Sequence, residues 1–316
     1  MGFAIWNFLV SIIKFSLIQA TKALKATSSS PSLDAEVLLS YVLKKSKEYL
    51  YANQKDKLST FQEKKFKKLI AKRRLGFPIA YLIGHKEFFS LNFFVNKSVL
   101  VPRPETEELV ELALGRIKTY DLQTIPLRGI PRRGTKFDLL DLGTGSGCIA
   151  ITLAKLLHAP SPILERVGVR LGATEKRRFN LYASDISQAA LSIARKNALK
   201  HKVKIKFIKS DLFHSIRGSF DVIIANLPYV TIPDLKKHKR ALRHEPQIAL
   251  KADWKIFENL FKNMPNHLRS GGSVLLEIEP KSKDKLVKFL KKYLPQSTYQ
   301  FHQDLSGKPR FLEILV

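Results

Sequence analysis

Cysteine is nearly absent from this 316-residue chain: Cys148 is the only one, which excludes an internal disulfide and any thiolate-rich metal site. A reducing compartment follows, and the cytoplasm is the expected location. Acidic residues are scarce as well, 27 against 55 basic ones, for a formal net charge of +28. That surplus leaves two readings open: attraction to a polyanion, such as nucleic acid or a partner seated near the ribosome, or lysine used freely on solvated faces. The eight histidines show no ligand spacing, since His238 and His244 flank a basic run and His201 sits at a helix end, so no metal is expected. No Ser/His/Asp ordering and no carboxylate pair compete for the chemistry. The apolar opening, Met1 to Ile18, lacks a basic leader and carries Lys14 inside the run; it reads as a buried helix rather than an anchor, and no membrane partner is expected.

What is present is a chain long enough for two domains, with the 45% apolar and 26% charged residues of an ordinary globular protein. Leu33, Val37, Leu38, Tyr41 and Val42 recur at helical spacing after Ser30-Pro31, a cap followed by a first-turn proline. Ser59 and Gln62 form a capping-box pattern that opens a second helix over 61–75, closed by Gly76. Residues 1–84 therefore read as a small helical domain. Its lysine-rich faces, from Lys64 to Arg74, are either solvated or a docking surface. Clustered Phe, Leu and Val over Glu87–Leu100 suggest a hairpin, which sets a connector at 85–102 and a second domain at 103–316. That domain begins with a helix over 105–117. The stretches 119–136 and 158–178 read as surface loops or insertions.

From Phe137 onward strand, glycine loop and helix alternate, the pattern of an α/β domain with a mostly parallel sheet covered on both faces. The expected strands are Phe137–Leu142, Phe179–Ser184, Lys204–Lys209, Phe220–Ala225 and Ser273–Ile278, with an antiparallel hairpin closing the chain over 298–302 and 310–316.

The loop Asp141-Leu-Gly143-Thr144-Gly145-Ser146-Gly147 follows the first of these strands and opens a helix. Its glycines allow a tight turn and close approach of a ligand, whose acceptors can meet the free N–H groups of the helix start. The spacing is G-x-G-x-G, not the dinucleotide fingerprint G-x-G-x-x-G, and no G-K-S/T follows, so dehydrogenases and P-loop enzymes are disfavoured. Cys148, next in the chain, is either a small core residue or a thiol activated by that helix start. Asp185 ends the second strand, 38 positions after Gly147, and can accept both hydroxyls of a ribose; the competing reading is a helix cap. Asp211 and Leu212 close the third strand, where a carboxylate can reach an adenine amine and a leucine can cover the ring, or the pair is a solvated turn.

The fourth strand delivers Asn226-Leu227-Pro228-Tyr229. Methylating a planar nitrogen is difficult because its lone pair is delocalised. The Asn226 side-chain oxygen and the Leu227 carbonyl can each accept one N–H of an –NH2 group, aiming the lone pair at the methyl and favouring the positive charge that develops on nitrogen. Pro228 fixes the bend. Tyr229 offers a face to a flat amide or base. No general base is needed, because the nitrogen becomes acidic only once alkylated.

With these residues in view, the chain resembles the bacterial PrmC/HemK family of protein-(glutamine-N5) methyltransferases. The likeness is carried by Ser32-Leu-Asp-Ala-Glu-Val-Leu-Leu, Ala80-Tyr-Leu-Ile-Gly, Glu87-Phe-Phe, Val101-Pro-Arg-Pro-Glu-Thr-Glu107, Asp141–Cys148, Asp185-Ile-Ser, Asn226–Tyr229 and His244-Glu-Pro-Gln-Ile-Ala-Leu250. The resemblance implies a Rossmann-like class I methyltransferase domain behind a helical domain that docks a class 1 peptide chain release factor. The methyl of S-adenosylmethionine would go to the glutamine of a Gly-Gly-Gln loop, leaving S-adenosylhomocysteine; a monomer is expected independently of the resemblance. The resemblance implies that Gly143, Thr144, Gly145, Ser146, Gly147, Asp185, Leu212 and Asn226 hold the donor, beside Asp211 read from its own position, that Asn226 to Tyr229 grip the amide, and that Arg103, Pro104 and Glu105 shape the mouth of the site. The chain departs from the family pattern at Leu227, where proline is usual, over Lys251-Ala-Asp-Trp-Lys-Ile, and at Glu277-Ile-Glu-Pro, which lacks a glycine. Two other functions fit some of the residues: an N6-adenine methyltransferase on RNA or DNA, because adenine presents the same –NH2, and a non-catalytic binding module that keeps only the fold.

Overall fold

A computed structural model describes residues 12–122, 136–157, 179–229, 242–251 and 253–316. The first eleven residues, the expected insertion 158–178, most of 119–136 and His238 lie outside them. The chain divides into two compact units, one of residues up to His85 joined by a short stretch ending at His244, the other of the remainder.

The first unit is helical: α1 (Ile13–Leu24), α2 (Pro31–Leu43), α3 (Lys47–Ala52), α4 (Thr60–Arg74) and α5 (Ile79–Ile83). Its core gathers Ile13, Ala20 and Leu24 of α1 with Leu38, Leu39 and Val42 of α2 and Phe66, Leu69 and Ile70 of α4. The capping box is present: the Ser59 hydroxyl accepts from Gln62 N–H at 3.2 Å, and the Gln62 side chain accepts from Ser59 N–H at 2.8 Å. Two expectations about α2 need correction. Pro31 does open it, but Ser30 makes no side-chain cap. The Ser28 hydroxyl instead donates to Asp34 at 2.6 Å, and Arg73 donates to the same carboxylate oxygen at 2.6 Å, a pairing between distant residues that a local reading cannot supply. The buried face of α2 is Ala35, Leu38, Leu39 and Val42, spaced i, i+3, i+4, i+7, whereas Leu33 and Tyr41 are exposed.

The second unit begins at Lys86, within the hairpin of β1 (His85–Phe88) and β2 (Leu91–Phe94), followed by α6 (Glu105–Leu122), which runs into the stretch expected to be loop. Then come β3 (Phe137–Leu142), α7 (Cys148–Leu157), β4 (Phe179–Asp185), α8 (Gln188–His201), β5 (Lys206–Lys209), β6 (Phe220–Asn226), α9 (Trp254–Asn263), β7 (Leu268–Glu277), α10 (Lys283–Tyr293), β8 (Thr298–Gln303) and β9 (Pro309–Leu315). The seven-stranded sheet has the order β5-β4-β3-β6-β7-β9-β8. Its first five strands are parallel, and β9 and β8 complete it antiparallel. Alternate residues separate two cores. Leu139, Val222, Ile224 and Leu275 face α6 and α7, and Leu140, Ile223, Val274 and Leu276 face α9 and α10. This is the Rossmann-like fold expected, and the order reverses at β3, which is where a parallel sheet opens a ligand crevice.

Candidate active site

The crevice at that reversal is a cleft of about 290 Å³, near the lower end of the roughly 300–1,000 Å³ usual for small-molecule sites. The glycine loop forms one wall. Gly143, Gly145 and Gly147 all have left-handed φ, +78°, +54° and +82°. A Cβ on Gly147 would stand 2.8 Å from Ile151 Cδ1 and 3.2 Å from Ala194 Cβ, so glycine there lets α7 and α8 close on each other. A Cβ on Gly145 would meet nothing within 4 Å, which leaves its backbone open to a ligand.

Asp141, buried beneath this loop, accepts from the Thr144 hydroxyl at 2.6 Å and from Ala150 N–H at 3.2 Å, tying the turn to the first turn of α7. Burial pushes its carboxyl up to about 7, against the pull of those two donors. Cys148 is buried and its thiol is pushed up to about 12, again by burial, so it is a core residue and not an activated thiol. A further anchor comes from Asn197, fully buried in α8. Its Nδ2 donates to the carbonyls of Ser146 (2.9 Å) and Phe94 (3.0 Å), and its Oδ1 accepts from Phe94 N–H (2.7 Å).

Asp185 lines the cleft at the end of β4, accepting from Gly145 N–H at 2.9 Å and Ser187 N–H at 2.8 Å. Ser187, not Asp185, caps α8 with its side chain. Burial raises the Asp185 carboxyl above its ordinary value, with the two backbone donors opposing. Asp211 and Leu212 line the cleft as well, and Leu212 holds a left-handed φ of +44°, a strained conformation of the kind that collects at binding sites.

Asn226, Leu227 and Pro228 line the opposite side, at the end of β6, the parallel neighbour of β3. Leu227 is 6% exposed, and its Cδ2 lies where it would meet a Cβ on Gly143 at 3.1 Å, so the larger residue in place of proline fits because its neighbour is glycine. Asn226 Nδ2 donates to Glu277 Oε2 at 2.8 Å and to Thr106 Oγ1 at 3.1 Å. Thr106 donates in turn to Glu277 Oε2 at 2.7 Å, and the Tyr229 hydroxyl donates to Glu277 Oε1 at 2.5 Å. Burial raises the Glu277 carboxyl, while the Tyr229 and Thr106 donors and Arg310 draw it back. Burial and the Glu277 carboxylate push the Tyr229 phenol well up, so it stays protonated.

Three expected residues sit elsewhere. Tyr229 is not among the residues lining the cleft; its hydroxyl is turned to Glu277 and its ring packs on the α9–α10 side of the core. Pro104 and Glu105 line a larger open groove of about 1270 Å³ between α6 and the β8–β9 hairpin. Arg103 does lie at the cleft, where it pairs with Glu245 at 2.7 Å, and Glu245 also accepts from Val101 N–H at 3.1 Å. Thr106, Asn197 and Glu277 were not singled out as site residues from the sequence. The altered stretch after Leu250 also finds its place: Asp253 caps α9, accepting from Lys255 N–H at 2.9 Å.

Residues 16–84 match the family model of the PrmC N-terminal domain, and residues 135–292 match that of a methyltransferase domain. A release factor glutamine methyltransferase of Shewanella oneidensis is 35% identical over 272 residues, covering 84% of this chain and 83% of its own. Those of Buchnera aphidicola and Coxiella burnetii are 34% and 36% identical, covering 89% and 83% of this chain and 90% and 85% of theirs. The chain belongs to the release factor glutamine methyltransferase family.

Methyltransferases of this family use S-adenosylmethionine, and the cleft fits it. Gly145 presents backbone with no side chain in the way, and Ser184 lines the cleft with a buried hydroxyl that has no partner among the described residues. Among those residues no group of His, Cys, Asp or Glu could hold a metal, and no helix is long and apolar enough to cross a membrane.

Proposed function

We propose that this chain methylates the side-chain amide nitrogen of the glutamine in the Gly-Gly-Gln loop of class 1 peptide chain release factors. S-adenosylmethionine supplies the methyl as an electrophilic carbon on a sulfonium. Gly143 to Gly147 would receive its polar end, Asp185 its ribose hydroxyls, and Asp211 and Leu212 its adenine. The observation that carries the reading is the state of the Asn226 carboxamide: both hydrogens of Nδ2 are committed to Glu277 and Thr106, so Oδ1 is the free end. Together with the Leu227 carbonyl it gives two acceptors for the two N–H bonds of a primary amide. The target nitrogen is then held with its lone pair exposed, and the positive charge that grows on it meets two carbonyl dipoles. Arg103, held by Glu245 at the cleft, would shape the mouth through which the glutamine loop enters.

We assign residues 1–84 to docking of the release factor, 85–102 to the connector and 103–316 to the chemistry. We take the protein to work as a monomer, and a single buried thiol suits the cytoplasm. The +28 charge is compatible with a partner that works near RNA. The test uses donor carrying a tritiated methyl: a release factor is labelled and its Gln→Ala variant is not. Equal labelling of both proteins, or label that RNase removes, overturns the reading.

A further inference from the structure

We infer that Glu277, with Thr106, is the positioning residue that decides which atom of the Asn226 carboxamide faces the substrate, and so makes the site select –NH2 groups. This rests on the reading of the site given above. Asn226 and Glu277 are register partners on the parallel strands β6 and β7, which fixes their side chains at the same level of the sheet edge. Glu277 is 1% exposed and has two oxygens receiving three donors: Asn226 and Thr106 on Oε2, Tyr229 on Oε1. Thr106, 3% exposed, spends its hydrogen on Glu277 and so offers Asn226 only a lone pair. Both groups facing the Asn226 nitrogen are therefore acceptors.

An asparagine amide on its own is ambiguous, since a half-turn about its last torsion exchanges oxygen for nitrogen at little steric cost. Here that half-turn would press Oδ1 against a carboxylate oxygen and a hydroxyl with no hydrogen left, and would leave Nδ2 pointing at the substrate. A donor there repels the N–H bonds of a primary amide and would instead hold a carbonyl. The network thus converts a neutral, two-faced side chain into a fixed acceptor. It also polarises it: a carboxylate accepting from Nδ2 draws negative charge toward Oδ1, strengthening its grip on a nitrogen that becomes positive. Three donors on one buried side chain are the surroundings of an ionised carboxylate, which accepts and does not donate.

The experiment measures kcat, the KM for a release factor and, by calorimetry, donor affinity, with labelling that is lost in the Gln→Ala factor as the entry condition. If wild type itself fails that condition, the proposed function fails and the present inference goes with it. If it passes, Glu277→Gln, which keeps size and shape but places an N–H against a donor, is expected to lower kcat about 100-fold with donor affinity within about threefold of wild type. Thr106→Ser, which keeps the hydroxyl, should retain activity within about threefold. Thr106→Val, nearly the same volume, should lose at least about tenfold in kcat, and it carries the test if Glu277→Gln does not fold. With wild type passing, a kcat within threefold of wild type for Glu277→Gln and Thr106→Val overturns the inference. So does a loss shared equally by kcat, donor affinity and melting temperature, which would mark the cluster as merely structural.

Discussion

Asn197 and Ser146 lie 51 positions apart, yet the Asn197 carboxamide donates to the Ser146 carbonyl at 2.9 Å and holds Phe94 of the hairpin with its other bonds. One buried side chain thereby fastens the glycine loop to β2. Asn197→Ala strands two carbonyls and one N–H, each at about 1–3 kcal/mol when buried. The expected result is a loss of several kcal/mol in urea unfolding and donor affinity at least about tenfold weaker; a change below about 1 kcal/mol would contradict it.

The glycine loop predicts two unequal substitutions. Gly145→Ala meets open space and costs only its left-handed backbone, roughly 1 kcal/mol, while its methyl enters the cleft proposed to take the donor. Gly147→Ala adds overpacking against Ile151 and Ala194, for roughly 2–4 kcal/mol in all. Denaturant melts should rank Gly147→Ala as the less stable, and calorimetry should show that Gly145→Ala, though well folded, has lost most donor binding. A reversed stability order would refute the packing argument.

Asn226→Ala removes the oxygen proposed to orient the target nitrogen. By analogy with the loss of a single transition-state hydrogen bond, kcat should fall about 100- to 1000-fold. Donor affinity, proposed to rest mainly on the glycine loop and Asp185, should stay within about tenfold. Near-normal turnover would remove Asn226 from the role.

Asp141 makes stability depend on pH. Its carboxyl is raised from 3.8 to about 7 in the folded chain, so the folded state favours the protonated form. The contribution is fully present below about pH 4 and is lost as pH rises through 7. For a fully buried group the swing reaches up to roughly 4 kcal/mol. Asp141→Asn, which can still accept from Thr144 and Ala150, lacks this swing. Wild type should therefore lose ground to it between pH 4 and 8 in parallel denaturant titrations, and a constant difference across that range would discount the buried charge.

Local chemistry made much of the fold legible. The strand runs of β3, β4 and β6 needed only their apolar composition and the residue that ends each, Gly143 after β3, Asp185 in β4 and Asn226 in β6, and the Ser59 capping box is written within four residues. The cleft-lining part of Asn226 to Pro228 was legible for the same reason, since the end of a central parallel strand at a sheet reversal is a defined place. What escaped depends on partners far away in the chain. Glu277 meets Thr106 across 171 positions and Asn226 across 51, and nothing adjacent to Glu277 announces that. Tyr229 was expected to face the substrate because an aromatic suits a flat amide; the buried carboxylate beside it is a stronger attraction for its hydroxyl. Pro104 and Glu105 turned from the cleft because α6 starts there: its first turn sends Glu105 toward the β8–β9 hairpin and only Thr106 to the cleft.

The tip of the β1–β2 hairpin carries a last implication. Phe89 and Ser90 both hold left-handed φ, +51° and +58°, where an Asn-Gly pair would sit without strain. Phe89 is nevertheless 7% exposed, and its N–H donates to Glu107 of α6 at 2.9 Å, so the unfavourable backbone is offset only once α6 is docked beside it. Turn and helix should therefore form as one cooperative event: amide exchange across 85–94 ought to rise and fall together with that of 105–114, and a Glu107 substitution would loosen a loop eighteen residues upstream before it loosens its own helix.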